Sequence, residues 1–232
     1  MVVALLLGLV VPRAVAACDC VASTPCRAVA HADAVLIGRV LSVVDAPDGQ
    51  WARVVRVAVS ESFIGGHTGE IEVRTGMGGG DCGYRFDVGS TYVVYAHRTD
   101  AGELTTSICS RTAKTALNGG EISMLRRLDR APGSIGRVSG QIHEERRDEN
   151  DRTQRAPLRG VGIEATSESG GAPVRSQTDA EGRFMLSLMP GRYRIAAQPR
   201  PGLATRDRPI FVNVFGGQTC ARVTLTLRRE GG

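Results

Sequence analysis

The sequence predicts a mainly β protein built from two parts. Short runs rich in valine and other strand-forming residues alternate with glycine- and proline-containing turns along most of the 232 residues. The stretch Ala-Pro-Gly-Ser at 131–134 interrupts this pattern, and beyond it no helical period survives. We therefore divide the chain into a leader at 1–17, a first domain at 18–130 and a second domain at 134–229.

The leader has the features of a secretory signal peptide. Residues 2–11 are almost wholly apolar, and small residues follow at 14–17, where a signal peptidase would cut. The run is too short to span a bilayer, and no later segment has the length of a membrane helix. Only Met1 precedes the run, without a basic residue, and a buried N-terminal strand is the alternative interpretation. We expect a secreted, periplasmic or cell-surface protein.

The cysteines and the charge distribution agree with export. An even number of cysteines behind an export signal predicts disulfides formed in an oxidising compartment, and the six lie at 18, 20, 26, 82, 109 and 220. The formal net charge is +5, but basic and acidic residues are interleaved, and only 4% of residues are aromatic. Nucleic-acid binding needs a basic face and stacking aromatic residues, so we exclude it.

Two short helices and several strands are predicted in the first domain. Thr24 as N-cap and Pro25 at the first helical position begin a helix that ends near Ala32. A capping box formed by Asn118 and Glu121 begins a second helix that ends near residue 130. Strands are predicted at 33–44, 51–59, 70–75, 84–86, 91–97 and 104–108, with a turn at 47–49.

The second domain is predicted to be an antiparallel β-sandwich. Six short strands are evenly spaced, at 136–142, 161–167, 183–188, 192–197, 210–215 and 221–227. The charge-dense insertion at 143–156 offers no core residues, and we interpret it as a mobile hairpin tip.

Three features of the first domain coincide in one known family. They are Cys18-Asp19-Cys20 at the predicted mature start, the segment 32–40 (ADAVLIGRV), and the later Cys82-Gly83 and Cys109-Ser110. Together they resemble the netrin-like module, in particular bacterial relatives of the tissue inhibitors of metalloproteinases. This resemblance implies an OB-type five-stranded barrel with short flanking helices, and disulfides Cys18–Cys82 and Cys20–Cys109. Cys26 is left to pair with Cys220 or to stay buried as a free thiol.

The second domain is similar to carboxypeptidase regulatory-like, or transthyretin-like, modules. The matching segments are 157–161 (PLRGV), 178–184 (TDAEGRF) and 189–193 (MPGRY). Asp179 to Gly182 forms a tight turn, and Phe184 and Tyr193 anchor neighbouring strands. This pattern specifies a fold rather than an activity.

The first resemblance implies a specific binding mode. The amine and carbonyl of a terminal Cys18 would chelate the zinc of a metalloendopeptidase, with Asp19 in its specificity pocket and Cys20 and Val21 along its cleft. Two features count against this hypothesis: a carboxylate at position 19 is costly in an apolar pocket, and the glycine-rich loop 76–80 is expected to be floppy.

Two other hypotheses stay open. Cys18 and Cys20 would serve only as structural staples in a structural or adhesive protein that binds a cell-surface protein or glycan. Alternatively, residues 15–18 would act as a lipobox for a lipid anchor on Cys18.

The sequence contains no set of residues that completes an active site. No catalytic triad or phosphate-binding loop can be assembled, and the spacing of Cys18, Cys20, Cys26 and His31 fits no common zinc pattern. We expect a non-enzymatic protein without a cofactor or a metal of its own.

Overall fold

The structure is a computed structural model that describes residues 18–47, 52–78, 80–128, 134–147, 149–150, 152–205 and 209–229. The predicted signal peptide at 1–17, most of the turn at 47–49 and the interdomain stretch 131–133 lie outside these residues. Within them, the prediction of a mainly β fold is confirmed.

The first part of the chain contains two helices, six strands and a 3-10 turn. Helix α1 spans Pro25–His31 and helix α2 spans Gly119–Leu128, with a 3-10 turn at Thr115–Leu117 before α2. The strands are β1 (Ala34–Asp45), β2 (Ala52–Ile64), β3 (Glu70–Gly76), β4 (Thr91–Arg98), β5 (Leu104–Thr105) and β6 (Ala113–Lys114).

Five of these strands form a closed ring of pairings. The order runs β1-β2-β3-β5-β4, and β4 pairs back onto β1, while β6 pairs with Tyr92 and Val93 of β4 on the edge that also carries β5. Strand β3 pairs with β5 in parallel, and the other pairs of the ring are antiparallel. The first half of β1 pairs with both β2 and β4, which is what lets the ring close. This order is the one that an OB-type barrel has.

Two predicted strands are absent or shortened. Residues 84–86 form no strand, because their backbone is held by side chains instead: the Tyr84 N–H donates to the Thr75 hydroxyl at 2.7 Å. The prediction for 104–108 holds only for its first two residues. Beyond them the chain turns toward Cys82, since the Ile108 N–H donates to the Cys82 carbonyl at 3.0 Å.

The second part of the chain is a sandwich of two sheets. One sheet has the order β10-β9-β12-β14, and the other has the order β11-β7-β15-β13 with β8 beside β7. The strands are β7 (Gly136–Arg147), β8 (Thr153–Pro157), β9 (Gly162–Ser167), β10 (Val174–Gln177), β11 (Arg183–Leu188), β12 (Gly191–Ala197), β13 (Leu203–Thr205), β14 (Ile210–Val214) and β15 (Ala221–Arg229).

One pairing in this sandwich differs from the prediction. Strands β7 and β15 run parallel from Ala221 opposite Val138 to Arg228 opposite Glu145, so the sandwich is not wholly antiparallel. Strand β14, which precedes β15, belongs to the other sheet. The chain therefore crosses from one sheet to the other before β15. Because β15 is not joined to β7 by a hairpin turn, the two strands are free to run parallel.

As predicted, no described residue of 143–156 is a buried apolar residue, and β7 and β8 form a hairpin, but two acidic residues of this segment are buried. Its first residues extend β7, and Glu144 and Glu145 are only 4% and 5% exposed. Buried carboxylates need compensating charge, which four arginine side chains provide: Arg146 and Arg229 for Glu144, and Arg155 and Arg228 for Glu145. The hydrogen bond from Arg146, with a further one from Arg229, keeps the pKa of Glu144 below its usual value.

Helix α1 is shared by both parts. Ala30 belongs to the sandwich core, whereas Val29 and Ala32 pack in a cluster with β1, β4 and α2. The Asn213 side chain, on β14, donates to the carbonyls of Val29 at 3.0 Å and Ala32 at 2.7 Å, which satisfies the end of the helix. An ion pair between Arg192 and Asp33 lies beside this contact.

Candidate functional site

The N-terminal segment, residues 18–24, has no regular secondary structure but is held at several points. Disulfides join Cys18 to Cys82 and Cys20 to Cys109, with Cα–Cα distances of 5.5 and 5.2 Å. A third disulfide joins Cys26 of α1 to Cys220 at 5.0 Å. These are the same pairs that the sequence analysis named, including the partner left open for Cys26.

A buried polar network fixes the segment at Ser23. The Arg111 guanidinium donates to the Ser23 carbonyl at 2.7 Å and to the Glu121 carboxylate, also at 2.7 Å. The hydroxyl of Tyr95, which is fully buried, donates to the other oxygen of Glu121 at 2.6 Å. Burial, followed by this hydrogen bond, raises the pKa of Tyr95 well above its usual value. The network ties the segment to the barrel wall and to α2.

This network corrects the predicted capping box. The expected role of Glu121 was to accept from the backbone N–H of Asn118, but that N–H donates to the Thr115 carbonyl instead. The carboxylate is turned inward, where Arg111 and Tyr95 offer stronger partners than a helix terminus does. The capping pattern thus located the helix but not the role of its acidic residue.

The start of α1 follows the sequence prediction. The Thr24 hydroxyl accepts from the Arg27 N–H at 3.3 Å, and Pro25 occupies the first turn. Helix α1 therefore begins directly after the N-terminal segment, and its Cys26–Cys220 disulfide fixes the far end of that segment to the sandwich.

The glycine loop, residues 76–83, is more ordered than the sequence suggests. The Asp81 carboxylate accepts from the N–H groups of Met77, Gly78 and Gly83 at 2.6, 2.9 and 3.1 Å. These backbone donors, Gly83 first, lower the pKa of Asp81. The expectation of a floppy loop is therefore wrong for its described part, because one side chain ties its two arms together.

The N-terminal ridge, which we define as residues 18–23 and 107–110, presents apolar side chains to solvent. Val21 is 85% exposed and Ile108 is 47% exposed, and each directly neighbours a cysteine of the Cys20–Cys109 disulfide. Asp19 and Cys20 are exposed and Cys18 is half-buried. The four predicted site residues thus lie on one surface. Ile108 was missed, although its position beside Cys109 was a usable signal.

The described residues show no metal centre. No group of three or more His, Cys, Asp or Glu side chains in them could hold a metal ion. Cys18, Cys20 and Cys26 are all in disulfides, so the weak metal site considered with His31 has no thiolates. No helix among these residues is long and apolar enough to cross a membrane.

Comparisons with known proteins do not identify a family. No protein-family model matches the chain, and no curated protein matches it. Neither the netrin-like nor the carboxypeptidase regulatory-like resemblance gains support from these searches, so both stay predictions made from the residues.

Three solved structures have a remote likeness to the chain. A DUF3823 family protein from Parabacteroides merdae is 20% identical, with 43% of this chain and 47% of that chain covered and a TM-score of 0.31. A putative carbohydrate binding protein from Pseudomonas aeruginosa is 12% identical, with 44% and 95% covered and a TM-score of 0.26. The Bacillus anthracis TIE protein is 14% identical, with 85% and 35% covered and a TM-score of 0.31. The chain thus spans about half of the first of these proteins.

Proposed function

We propose that the chain is an extracellular, non-enzymatic binding protein, with a structural or adhesive role at the cell surface and a protein or glycan as its partner. The observation that supports this proposal best is the N-terminal ridge, which is exposed yet pinned at both ends and at Ser23. A surface that is rigid before binding loses little conformational entropy when a partner docks, so its exposed apolar side chains contribute more of their burial to affinity.

The chemistry of the described residues supports a binding role over catalysis. All six cysteines are in disulfides, so none of them offers a thiolate nucleophile. The buried carboxylate of Glu121 is committed to Arg111 and Tyr95, and those of Glu144 and Glu145 are committed to arginines. These pairings stabilise the fold.

The ridge proposal is tested by replacing its exposed apolar side chains with charged ones. Fluorescently labelled mature protein is titrated onto intact cells of the source organism, and the Val21→Asp and Ile108→Asp variants are compared with it. Each variant is expected to weaken surface binding by about tenfold or more, because a charge replaces an apolar contact at the centre of the interface. Val44→Asp is the matched control, since Val44 is 54% exposed near the end of β1, outside the ridge. Equal binding by all three variants would remove the ridge from the function.

Inhibition of a zinc metalloendopeptidase is the second candidate. The observation that favours it is that two disulfides hold Cys18 and Cys20, to Cys82 and Cys109 respectively. After removal of residues 1–17, the amine and carbonyl of Cys18 would be neighbours on a fixed backbone, as chelation of a partner's zinc requires. The exposed Asp19 would then face the protease.

This candidate is tested in two steps. Mass analysis of the N-terminus of secreted protein first establishes whether Cys18 is the terminal residue, and a panel of zinc endopeptidases is then titrated with that protein. A matched variant that retains Ala17 keeps the ridge but removes the free amine at Cys18, so it is expected to lose inhibition entirely. Inhibition that is equal with and without Ala17 would contradict chelation, as would no inhibition at micromolar protein.

The same mass analysis tests the lipid anchor. Acylation of Cys18 and the Cys18–Cys82 disulfide exclude each other, because both use the same thiol. The disulfide in the structure therefore favours an unlipidated terminus, and a diacylglyceryl mass on Cys18 would overturn that preference.

A further inference from the structure

A cleft lies behind the N-terminal ridge, where the ridge, α1, β4 and β15 meet. Its volume is about 430 Å³, which is within the range of pockets that hold small ligands. It opens between the first part of the chain and the sandwich, so residues from both parts line it. The residues that line it and matter most for its charge are Arg27, His31, His97 and Arg222.

The charge of this cleft is of one sign. Arg27 and Arg222 approach it from α1 and β15, His31 and His97 add two imidazoles, and none of the residues that line it is Asp or Glu. Both arginine residues are exposed, and no carboxylate in the described part of the chain pairs with either of them.

The state of His31 shows that these positive groups act on one another. Burial lowers the pKa of the ring, and the charge of Arg27 lowers it further, against a smaller opposing effect of a hydrogen bond to the Arg222 backbone. The buried Nε2 atom of His31 has no hydrogen-bond partner among the described residues. The ring is therefore harder to protonate than a free imidazole, and no carboxylate of the lining compensates the charge of the arginines.

Hydroxyl groups complete the polar lining. Ser23 and Ser110 lie on the ridge side, and the exposed Thr224 lies on β15 opposite them. Hydroxyls can donate to an anion or accept from a sugar hydroxyl, whereas an arginine fork matches the two oxygens of a planar or tetrahedral oxyanion. The lining thus combines two charged donors with several neutral ones.

We propose that this cleft is an oxyanion-binding site, which takes the carboxylate or sulfate group of an acidic glycan. The choice of a glycan as the source of the oxyanion rests on the proposed function at the cell surface. The oxyanion site itself rests on the two unpaired arginines, the absence of acidic residues from the lining and the volume of the cleft. A bound oxyanion would relieve the repulsion that the cleft now contains, and each charge-assisted hydrogen bond would add to affinity.

Titration calorimetry on the mature protein tests the proposal, with three probes at fixed ionic strength. These are a hexuronate oligomer, a neutral hexose oligomer of the same length and sodium sulfate. The hexuronate oligomer is expected to bind, the neutral oligomer is not, and sulfate is expected to compete with the hexuronate. The Arg27→Gln/Arg222→Gln variant should lose at least about tenfold in affinity for the hexuronate, because it loses two hydrogen bonds to a charged group.

The matched control changes the net charge equally elsewhere. Arg39→Gln/Arg56→Gln removes two exposed arginines from β1 and β2, neither of which lines the cleft. Arg39 pairs with Thr91, at the opposite end of β4 from His97, and Arg56 pairs with Ser42, further along β1. The hexuronate affinity of this control should stay within about twofold of the parent at this ionic strength, since exposed charges beyond the Debye length are screened. An equal loss in both variants would reduce the effect to net charge and overturn the site.

A spectroscopic readout separates the cleft from other anion contacts. On binding of the hexuronate, the NMR titration of His31 should shift to higher pH, because a negative charge now faces the ring. An unchanged His31 titration during hexuronate binding would overturn the site, and binding of sulfate alone would overturn the glycan as its source. If the parent binds no hexuronate and the Arg27→Gln/Arg222→Gln variant still binds cells, the oxyanion site in the cleft is refuted. The proposed binding role of the ridge is then unaffected. Failure of the parent to bind cells would instead refute the proposed function.

Discussion

The Glu121→Gln substitution probes how much the buried network at Ser23 contributes to stability. The Glu121 side chain is only 6% exposed and that of Arg111 is 32% exposed, with 2.7 Å between the paired atoms. Glutamine keeps the volume, but its amide group places a donor opposite the guanidinium and leaves a half-buried charge without a partner. Breaking a fully buried pair in this way costs about 3–5 kcal/mol, and partial exposure of Arg111 reduces our expectation to about 2–3 kcal/mol.

A matched pair on the surface supplies the control. Glu70 pairs with Arg56 at 3.3 Å, and the two side chains are 57% and 54% exposed. Glu70→Gln should therefore cost only about 0.5 kcal/mol. Both variants and the parent are compared by urea unfolding followed by far-UV circular dichroism, with disulfides intact. If Glu121→Gln costs no more than Glu70→Gln, the network does not hold the segment, and the reasoning from burial is refuted.

Three further predictions concern the disulfides, the glycine loop and its close packing. Cys26→Ser/Cys220→Ser removes a disulfide that spans 194 residues and should lower the free energy of unfolding by about 5 kcal/mol. Cys18→Ser/Cys82→Ser removes one that spans 64 residues and should lower it by about 4 kcal/mol, because a shorter loop restricts the unfolded chain less. A larger loss for the 64-residue bridge in urea unfolding would contradict this argument from loop length. The pKa of Asp81 is lowered, so its hydrogen bonds to the loop are fully present above pH 3.8, the usual pKa of an aspartate, and are lost as the pH falls through the lower pKa of the folded state. The amide resonances of Met77, Gly78 and Gly83 should therefore titrate together below pH 3.8, and should not titrate in Asp81→Asn. A midpoint at or above pH 3.8 would count against this role of Asp81. Gly83→Ala places a methyl group 2.2 Å from the backbone of Gly76 and should destabilise the folded protein by about 1–3 kcal/mol. Gly119→Ala, at the start of α2 where nothing lies within 4 Å, should be neutral or stabilising. Equal thermal midpoints for the two variants would show that the loop accommodates the methyl group without cost.

Local sequence patterns predicted most of the elements because their causes are local. Thr24-Pro25 set the start of α1, and runs of β-branched residues located β1 and β4 to within a residue or two. The Cys18–Cys82 and Cys20–Cys109 pairs followed from a resemblance, because sequence alone permits many pairings, and the Cys26–Cys220 pair was left open. The strand prediction was wrong where a side chain replaces the backbone hydrogen bonds of a sheet, as the Thr75 hydroxyl does for the Tyr84 N–H.

Long-range contacts account for what the sequence could not supply. The roles of Glu121 and Glu144 depend on arginines 10 and 85 residues away, so an acidic residue read by itself suggests a cap or a solvated loop. The cleft behind the ridge likewise joins Arg27 and Arg222, which no spacing rule connects. Ile108 could have been predicted as a ridge residue only by assuming that the residues next to each disulfide-bonded cysteine lie together on one surface.

The pairing of the cysteines constrains how this chain can mature. If thiols were oxidised in the order in which they emerge during export, Cys18 would join Cys20, Cys26 would join Cys82, and Cys109 would join Cys220. None of these bonds is native, because each native pair skips over at least one other cysteine. Cys26 must also wait for Cys220, the last cysteine to appear. Production of this protein therefore calls for a compartment that reshuffles bonds as well as forming them, and a host that only oxidises thiols should accumulate scrambled isomers.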